Sequence, residues 1–473
     1  METKRLAIFF ALSAALLILW PILFPPPKPV RPVGGGPPAS ASIAPASGSA
    51  APGTQAAAAP PPVAAPVLEA GRPAVRVEPI VASEGKNVVV TTPLYTARLS
   101  NRGGELLNFV LQRFKDATGQ PLDVVRHGPG FPGRTLSLDP KDAFLQRAAS
   151  ALYQVETETV GLETRVRFRY READGNGLTR LYTFRPDYVA SLKVEREGAP
   201  GALVPIVLGP GLGNPSPDEL KTSFTKPGSP VVLNPNGSAD HKGKDSIKED
   251  LPLGKGLTVV GLEDNYFLAA FLPLGNASAL VRPVAVAGVA GKPAVPECEV
   301  VLSGNGALET ELFLGPKDLD VLGKLRPGMD KIIDLGWFAV LVKPLLWTLK
   351  AIHGVVRNWG VAIILITILI KLVLYPLTHK QLLSMKRMSK LQPRIEAINV
   401  KYASKIRQDP QARLKKNEEV MALYKAEGIN PAGGCLPLLL QMPILIAFYR
   451  MLQHSIELRH APFALWITDL SAK

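Results

Sequence analysis

The stretch WGVAIILITILIKLVLYPLT, residues 359–378, is twenty residues long and carries one charge, Lys371. Coiled as a helix it would reach about 30 Å, the thickness of a bilayer's hydrocarbon core. It is therefore read as a membrane crossing (358–378), although the overall hydrophobic content of 47% is close to that of soluble proteins. A cation within such a helix costs at least roughly 2.5–3.5 kcal/mol unless water or a partner compensates it. Counted from Trp359, Lys371 would lie about 18 Å deep, leaving about 10 Å to Thr378. Thr367, Lys371, Tyr375 and Thr378 follow one another at spacings of four, four and three, which places them in one polar stripe. The bland reading of this lysine is snorkelling, its stem bent so that the ammonium reaches nearby headgroups. The functional reading is that the stripe faces water held within the membrane.

A further apolar segment, 431–456, favours the second reading. Gln441, Tyr449 and Arg450 interrupt it with polar groups, and Pro437 and Pro443 release carbonyls that lipid cannot satisfy. Two such helices side by side suggest a hydrated groove rather than a dry bundle. Its start, NPAGGCLPLLLQMP at 430–443, supplies a cap in Asn430, a first-turn proline in Pro431 and close-approach glycines in Gly433 and Gly434.

Between these segments the chain is basic. Lys380 to Asn430 holds twelve Lys or Arg against five Asp or Glu, a large part of the net charge of +14. Met388, Leu391, Ile395, Ile398 and Tyr402 are spaced three, four, three and four, the seam of a short coiled coil. QDP at 408–410 breaks it, and a second helix through Leu414, Met421 and Tyr424 folds back to make a basic antiparallel hairpin, 379–430. Solubility alone would account for most of its charges.

Upstream, residues 332–357 are long enough to cross, but Lys343, Lys350 and Arg357 recur every seven residues, opposite the apolar Trp337, Leu341, Leu345 and Trp347. An interfacial amphipathic helix fits better, with Pro344 kinking or restarting it. Were this helix also to cross, the basic hairpin would lie outside, against the positive-inside bias. Residues 75–328 read as short alternating apolar runs such as KNVVVTTPLYTARLS (86–100), punctuated by Gly, Pro, Asn and Asp, which predicts an all-β sandwich of two antiparallel sheets. Residues 25–74 are a Pro-, Ala- and Gly-rich linker with too few large apolar side chains to order. Leu6 to Phe24 is an uncharged run behind Lys4 and Arg5, an anchor (1–24) whose amino terminus stays in the cytoplasm. A cleavable signal peptide is the rival there, disfavoured by the length of the apolar run. Cys298 and Cys435 lie in segments of different character, so neither a disulfide framework nor a metal site is expected.

Several of these stretches together carry a resemblance. LYPLT (374–378), LQP (391–393), MALYKAEGINPAGGC (421–435) and ELRHAPFALWITDLSAK (457–473) resemble the YidC family of membrane insertases. LSNRGGEL (99–106), DNYFLAAFLP (264–273) and LFLGPKD (312–318) are similar to the large periplasmic domain of its Gram-negative members. The resemblance implies an α+β membrane protein of the bacterial inner membrane, with transmembrane α-helices, a periplasmic all-β sandwich resembling that of sugar enzymes, and a cytoplasmic antiparallel helical hairpin. It also implies a periplasmic segment at 457–473 and two further crossings that this sequence lacks, as in a carboxy-terminally truncated version.

Lys371 stands where the family most often has arginine, keeping the charge but not the bidentate fork. The implied substrate groove would use Lys371, Thr367, Tyr375, Gln441 and Tyr449 to insert, fold and assemble membrane proteins, without catalysis, cofactor or metal. Implied partners are nascent membrane proteins, the Sec translocon and its accessory subunits, the ribosome through the basic hairpin, and anionic phospholipid, but no DNA. Two other functional classes fit the sequence less well. A membrane-anchored carbohydrate-binding protein would need paired carboxylates or an aromatic platform, which no constellation around Glu263 or Asp264 supplies. A transporter would need internal repeats and more crossings.

Overall fold

The computed structural model describes residues 77–116, 118–215, 227–287, 295–403, 410–428, 436–465, 467 and 469–471. The anchor at 1–24, the linker at 25–74, the break at 408–409 and the NPAGGC run at 430–435 lie outside the described residues.

The β domain forms because alternating apolar positions give each strand one face to bury. Its largest sheet has nine antiparallel strands. In spatial order they are Ala239–His241, Ser229–Leu233, Val259–Glu263, Phe267–Pro273, Ala307–Pro316, Val189–Glu197, Gly177–Phe184, Glu163–Arg171 and Gln154–Val160. A five-stranded sheet (Leu251–Lys255, Ser278–Val286, Val295–Asn305, Leu203–Leu208, Ser137–Leu138) packs against it. The expected two sheets are joined by a third, of four strands, Asn87–Thr91, Tyr95–Ser100, Leu106–Lys115 and Pro121–Asp123. Ring contacts seat this sheet on the nine-stranded one: Tyr95 lies 6.4 Å from Phe184, and Phe114 meets Phe267 edge-on at 5.4 Å. Where both faces are covered, alternation disappears, and every residue of Val259–Glu263 and Phe267–Pro273 is buried.

The LSNRGGEL motif has a structural explanation. Asn101 is buried and donates to the carbonyls of Glu84 and Tyr153 while accepting from the Lys86 amide. Gly103 and Gly104 both sit at positive φ, and a Cβ on Gly103 would stand 2.6 Å from the Ala149 carbonyl. Their carbonyls accept from Arg180 and Tyr182. Arg180 is fully buried and also donates to the Leu136 carbonyl and, at 2.7 Å, to the Tyr182 hydroxyl.

Among the described residues six helices accompany the strands. Two belong to the β domain: α1 (Ala143–Ser150), capped by Asp142, and α2 (Leu319–Leu325), capped by Asp318. The other four are α3 (Ala339–Val356), α4 (Trp359–Ala403), α5 (Pro410–Ala426) and α6 (Leu436–His454). The helix expected from residue 332 begins at Ala339, after short 3-10 turns at Met329–Ile332 and Gly336–Phe338, and it runs through Pro344 without restarting.

The division expected at residue 378 is absent. α4 is one helix of 45 residues, roughly 68 Å long, and it runs through Pro376 and Pro393. Its less exposed face explains the continuity. Ile363, Thr367, Ile370, Leu374, Leu377, Gln381, Ser384, Met388, Leu391, Ile395, Ile398 and Tyr402 follow a heptad spacing without a break, each buried or half-buried. α5 folds back antiparallel, with Arg394 to Glu427 and Lys401 to Glu419 both within 2.8 Å. Its own seam differs from the expected one. Leu414 and Met421 are exposed, whereas Ala412, Lys416, Val420 and Leu423 turn toward the partner arm. Of the large side chains on this short arm, Val420, Leu423 and Tyr424 are thus half-buried while Leu414 and Met421 are not.

Candidate functional site

Among the described residues, two helices have the length and composition to cross a membrane, Ala339–Val356 and Trp359–Ala403. α6, at 19 residues, would reach about 28 Å. α3 packs against α4 and α6. Val342, Leu346 and Leu349 of α3, Ala362 and Ile366 of α4, and Ala447 and Met451 of α6 belong to one buried cluster with the β domain core. The chain after α6 helps to close this end. Asn358 donates to the Phe463 carbonyl at 2.8 Å, and a Cβ on Gly360 would collide with the Phe463 ring.

The opposite halves of α4 and α6 differ. Lys371, Leu372, Val373 and Tyr375 are exposed on α4, as are Gln441, Met442 and Leu445 on α6. Among the described residues Lys371 has no hydrogen bond or ion pair. Tyr375, one turn on, is exposed and stacks on His379 at 5.8 Å, a neighbour that spacing alone did not single out. Thr367 is half-buried, and its hydroxyl donates to the Ile363 carbonyl at 2.7 Å; the Thr378 hydroxyl likewise donates to Leu374. The stripe therefore presents Lys371 and Tyr375, with the threonine hydroxyls turned back onto their own helix. Gln441 and Tyr449 are both exposed on α6, two turns apart. Arg450, read from the sequence as part of the same polar set, instead lines a cavity beside the β domain.

The join between helices and β domain is ionic. Lys350 of α3 reaches Asp320 at 2.6 Å, Glu457 at 2.7 Å and Asp318 at 3.8 Å, and Lys343 reaches Asp330 at 2.8 Å. These lysines thus dock the helix on the domain, while Val340, Trp347 and Val355 remain exposed on the other flank. Arg459 donates to the Lys115 carbonyl and lies over the Phe267 ring at 5.2 Å.

At the same join, the motifs at 264–273 and 312–318 prove to be neighbouring strands, with Phe267 opposite Pro316. Just beyond them the buried Lys317 donates to Glu263 at 2.7 Å and to the Asp264 carbonyl at 2.9 Å, and His241 meets the other Glu263 oxygen at 2.6 Å. Burial pushes the Glu263 carboxyl up, but the Lys317 charge and the His241 hydrogen bond outweigh it and hold the group below the usual carboxylate range. Burial pushes His241 down, and the Glu263 bond and charge more than reverse this. These residues were not identifiable from spacing, since Lys317 stands 54 residues from its partner. Among the described residues no cluster of His, Cys, Asp and Glu has the form of a metal site.

Comparison with known proteins covers both parts of the chain. Residues 87–348 match the family model described as the YidC periplasmic domain, and residues 351–473 match the 60Kd inner membrane protein family. Among curated relatives, the membrane protein insertase YidC of Geobacter metallireducens is 33% identical over 99% of this chain and 85% of its own length. That of Citrifermentans bemidjiense is 35% identical over 99% and 86%. Among solved structures, an active YidC insertase with its first transmembrane domain resolved is 21% identical, with a TM-score of 0.29 over 84% of this chain and 79% of its own. YidC from Thermotoga maritima is 17% identical, with a TM-score of 0.27 over 64% and 72%.

Proposed function

Because the chain belongs to the YidC family of membrane protein insertases, we propose that it inserts nascent membrane proteins through a hydrated groove between α4 and α6, charged by Lys371 and open to the cytoplasm and to lipid. The observation that carries this reading is Lys371 itself, exposed and without a partner among the described residues, on a helix whose surrounding surface is apolar. Such a charge within hydrocarbon calls for water, a partner or the headgroups beside it, and the groove supplies the water. The packing of α3 against α4 and α6 supports closure on the β-domain side, and the exposed Tyr375, Gln441 and Tyr449 supply further polar groups for the wall. Thr367 contributes at the deeper end, where its hydroxyl is already satisfied.

In this arrangement the polar or acidic tail of an arriving protein is drawn to the Lys371 ammonium and spends less of its path in hydrocarbon. Transfer of the client's own apolar helix into lipid then drives the step, at about 25 cal/mol per Å² of apolar surface. The chemistry is one of solvation and charge, and no bond is made or broken. The chain is an inner-membrane protein. Its amino terminus (1–24), α4 (crossing over 358–378) and α6 (431–456) are the crossings, α3 lies at the outer interface, the β domain (75–328) and 457–473 are periplasmic, and the hairpin (379–430) is cytoplasmic, as positive-inside bias requires. The basic hairpin meets ribosomal phosphate and anionic phospholipid, and the β domain meets the Sec translocon's accessory subunits.

The test is insertion of a client with an acidic amino-terminal tail, read by protease protection of that tail. Lys371→Glu should impair it and Lys371→Arg should preserve it. Equal protection by the wild type and the Glu variant would dispose of the charged groove.

A further inference from the structure

A cavity of about 360 Å³ opens at the join between the β domain and the last turn of α6, at the lower end of the range of small-molecule pockets, about 300–1,000 Å³. His454 lines it with only 7% of its surface exposed, and neither ring nitrogen has a hydrogen-bond partner among the described residues. A buried imidazole without partners is costly, and such a group marks a place where something polar binds. One turn earlier Arg450 lines the same cavity, also without a hydrogen bond or ion pair among the described residues. Two donor-bearing side chains at i and i+4 on one helix thus converge on one space.

The opposite wall determines the character of the ligand. Glu263 is already engaged by Lys317 and His241, so it presents no free negative charge. The other charged side chains on its wall are Lys242, Arg450, Asp334 and Asp245, the last of which already has a contact of its own. The cavity is therefore bipolar. A simple anion would use Arg450 and His454 and leave the carboxylates facing it, whereas a group holding a phosphate and an amine a few ångströms apart satisfies both. α6, read as a crossing, ends here, which puts the cavity at the level of lipid headgroups.

We infer that this cavity binds the zwitterionic headgroup of a phosphoethanolamine lipid, its phosphate against Arg450 and His454 and its ammonium toward Asp334. The inference rests on the reading of α6 as a crossing but not on the groove around Lys371. A bound lipid at this point would tie the β domain to the bilayer beside the ionic contacts of Lys350.

The test is calorimetric titration of the full chain, in lipid-free non-ionic detergent, with dihexanoyl phosphatidylethanolamine, dihexanoyl phosphatidylglycerol and soluble phosphoethanolamine. The phosphatidylethanolamine should bind saturably and more tightly than the phosphatidylglycerol. Arg450→Gln and His454→Leu should each weaken it about tenfold, the worth of one charge-assisted hydrogen bond. Asp334 is exposed, so Asp334→Asn leaves the fold intact, and it should narrow the preference between the two lipids. Binding of phosphoethanolamine with the same sensitivity to the variants would support the headgroup chemistry with a free source. No saturable binding, equal or tighter phosphatidylglycerol, or indifference to all three substitutions would overturn the inference. Client insertion is not read in this assay, so failure here leaves the groove standing and failure there leaves the cavity standing.

Discussion

Lys317 is the residue whose removal should be felt most in the β domain. Its ammonium and the Glu263 carboxylate are both almost wholly buried, and breaking such a pair from one side typically costs about 3–5 kcal/mol because the remaining charge has no partner. Lys317→Met should lower unfolding stability by that order. The double variant Glu263→Gln, Lys317→Met should lose much less than the sum, and additive losses in denaturant titrations would contradict the pairing. His241 adds a pH dependence. Its folded pKa is raised, so the stability it contributes is present below the ordinary histidine value near 6.5 and is lost as pH rises through the raised value. Wild type and His241→Phe should therefore differ more at pH 5.5 than at pH 8.5, and a pH-independent difference would count against the ion pair. Lys371 stood out in the sequence because a single cation in twenty apolar residues needs no partner to be noticed. Lys317 and His454 did not stand out, because what makes them unusual is burial against residues distant in the chain.

At the scale of elements, the part of α4 from Met388 to Tyr402 is legible in the sequence because large side chains carry its heptad spacing. What composition obscured is that one helix carries both the apolar run, which ends at residue 378, and the seam, which does not. On the short arm Tyr424 is half-buried with Ala412, Lys416, Val420 and Leu423, whereas Leu414 and Met421 are exposed. This difference is testable. Leu391 is 6% exposed and Leu414 is 65% exposed. Burial of one leucine is worth about 1.5–3 kcal/mol. Leu391→Asp should open the hairpin to trypsin at Arg413, Lys415 and Lys416, and Leu414→Asp should leave cleavage unchanged. The reverse pattern would restore the seam expected from sequence. Deleting residues 384–427 should weaken ribosome co-sedimentation at low salt, with less difference as salt rises; unchanged sedimentation would remove the hairpin from that contact.

The molecule as a whole is asymmetric along its helices. On the β-domain side, apolar packing, the ionic contacts of Lys343 and Lys350 and the Arg459 hydrogen bond hold α3, α4 and α6 against the sandwich and the chain after α6. Toward the hairpin α4 and α6 are exposed and carry Lys371, Tyr375 and Gln441. An insertase needs that polarity, since a passage open at both ends would leak and one closed at both would admit nothing. The most direct measurement is the reaction of single cysteines with a membrane-impermeant hydrophilic maleimide, applied from the cytoplasmic side of membranes holding the full chain. Lys371→Cys and Gln441→Cys should label readily, Thr367→Cys more slowly, and Ile366→Cys, at a fully buried position, should resist. If the first two positions prove as unreactive as Ile366, no water reaches Lys371 and the groove does not exist.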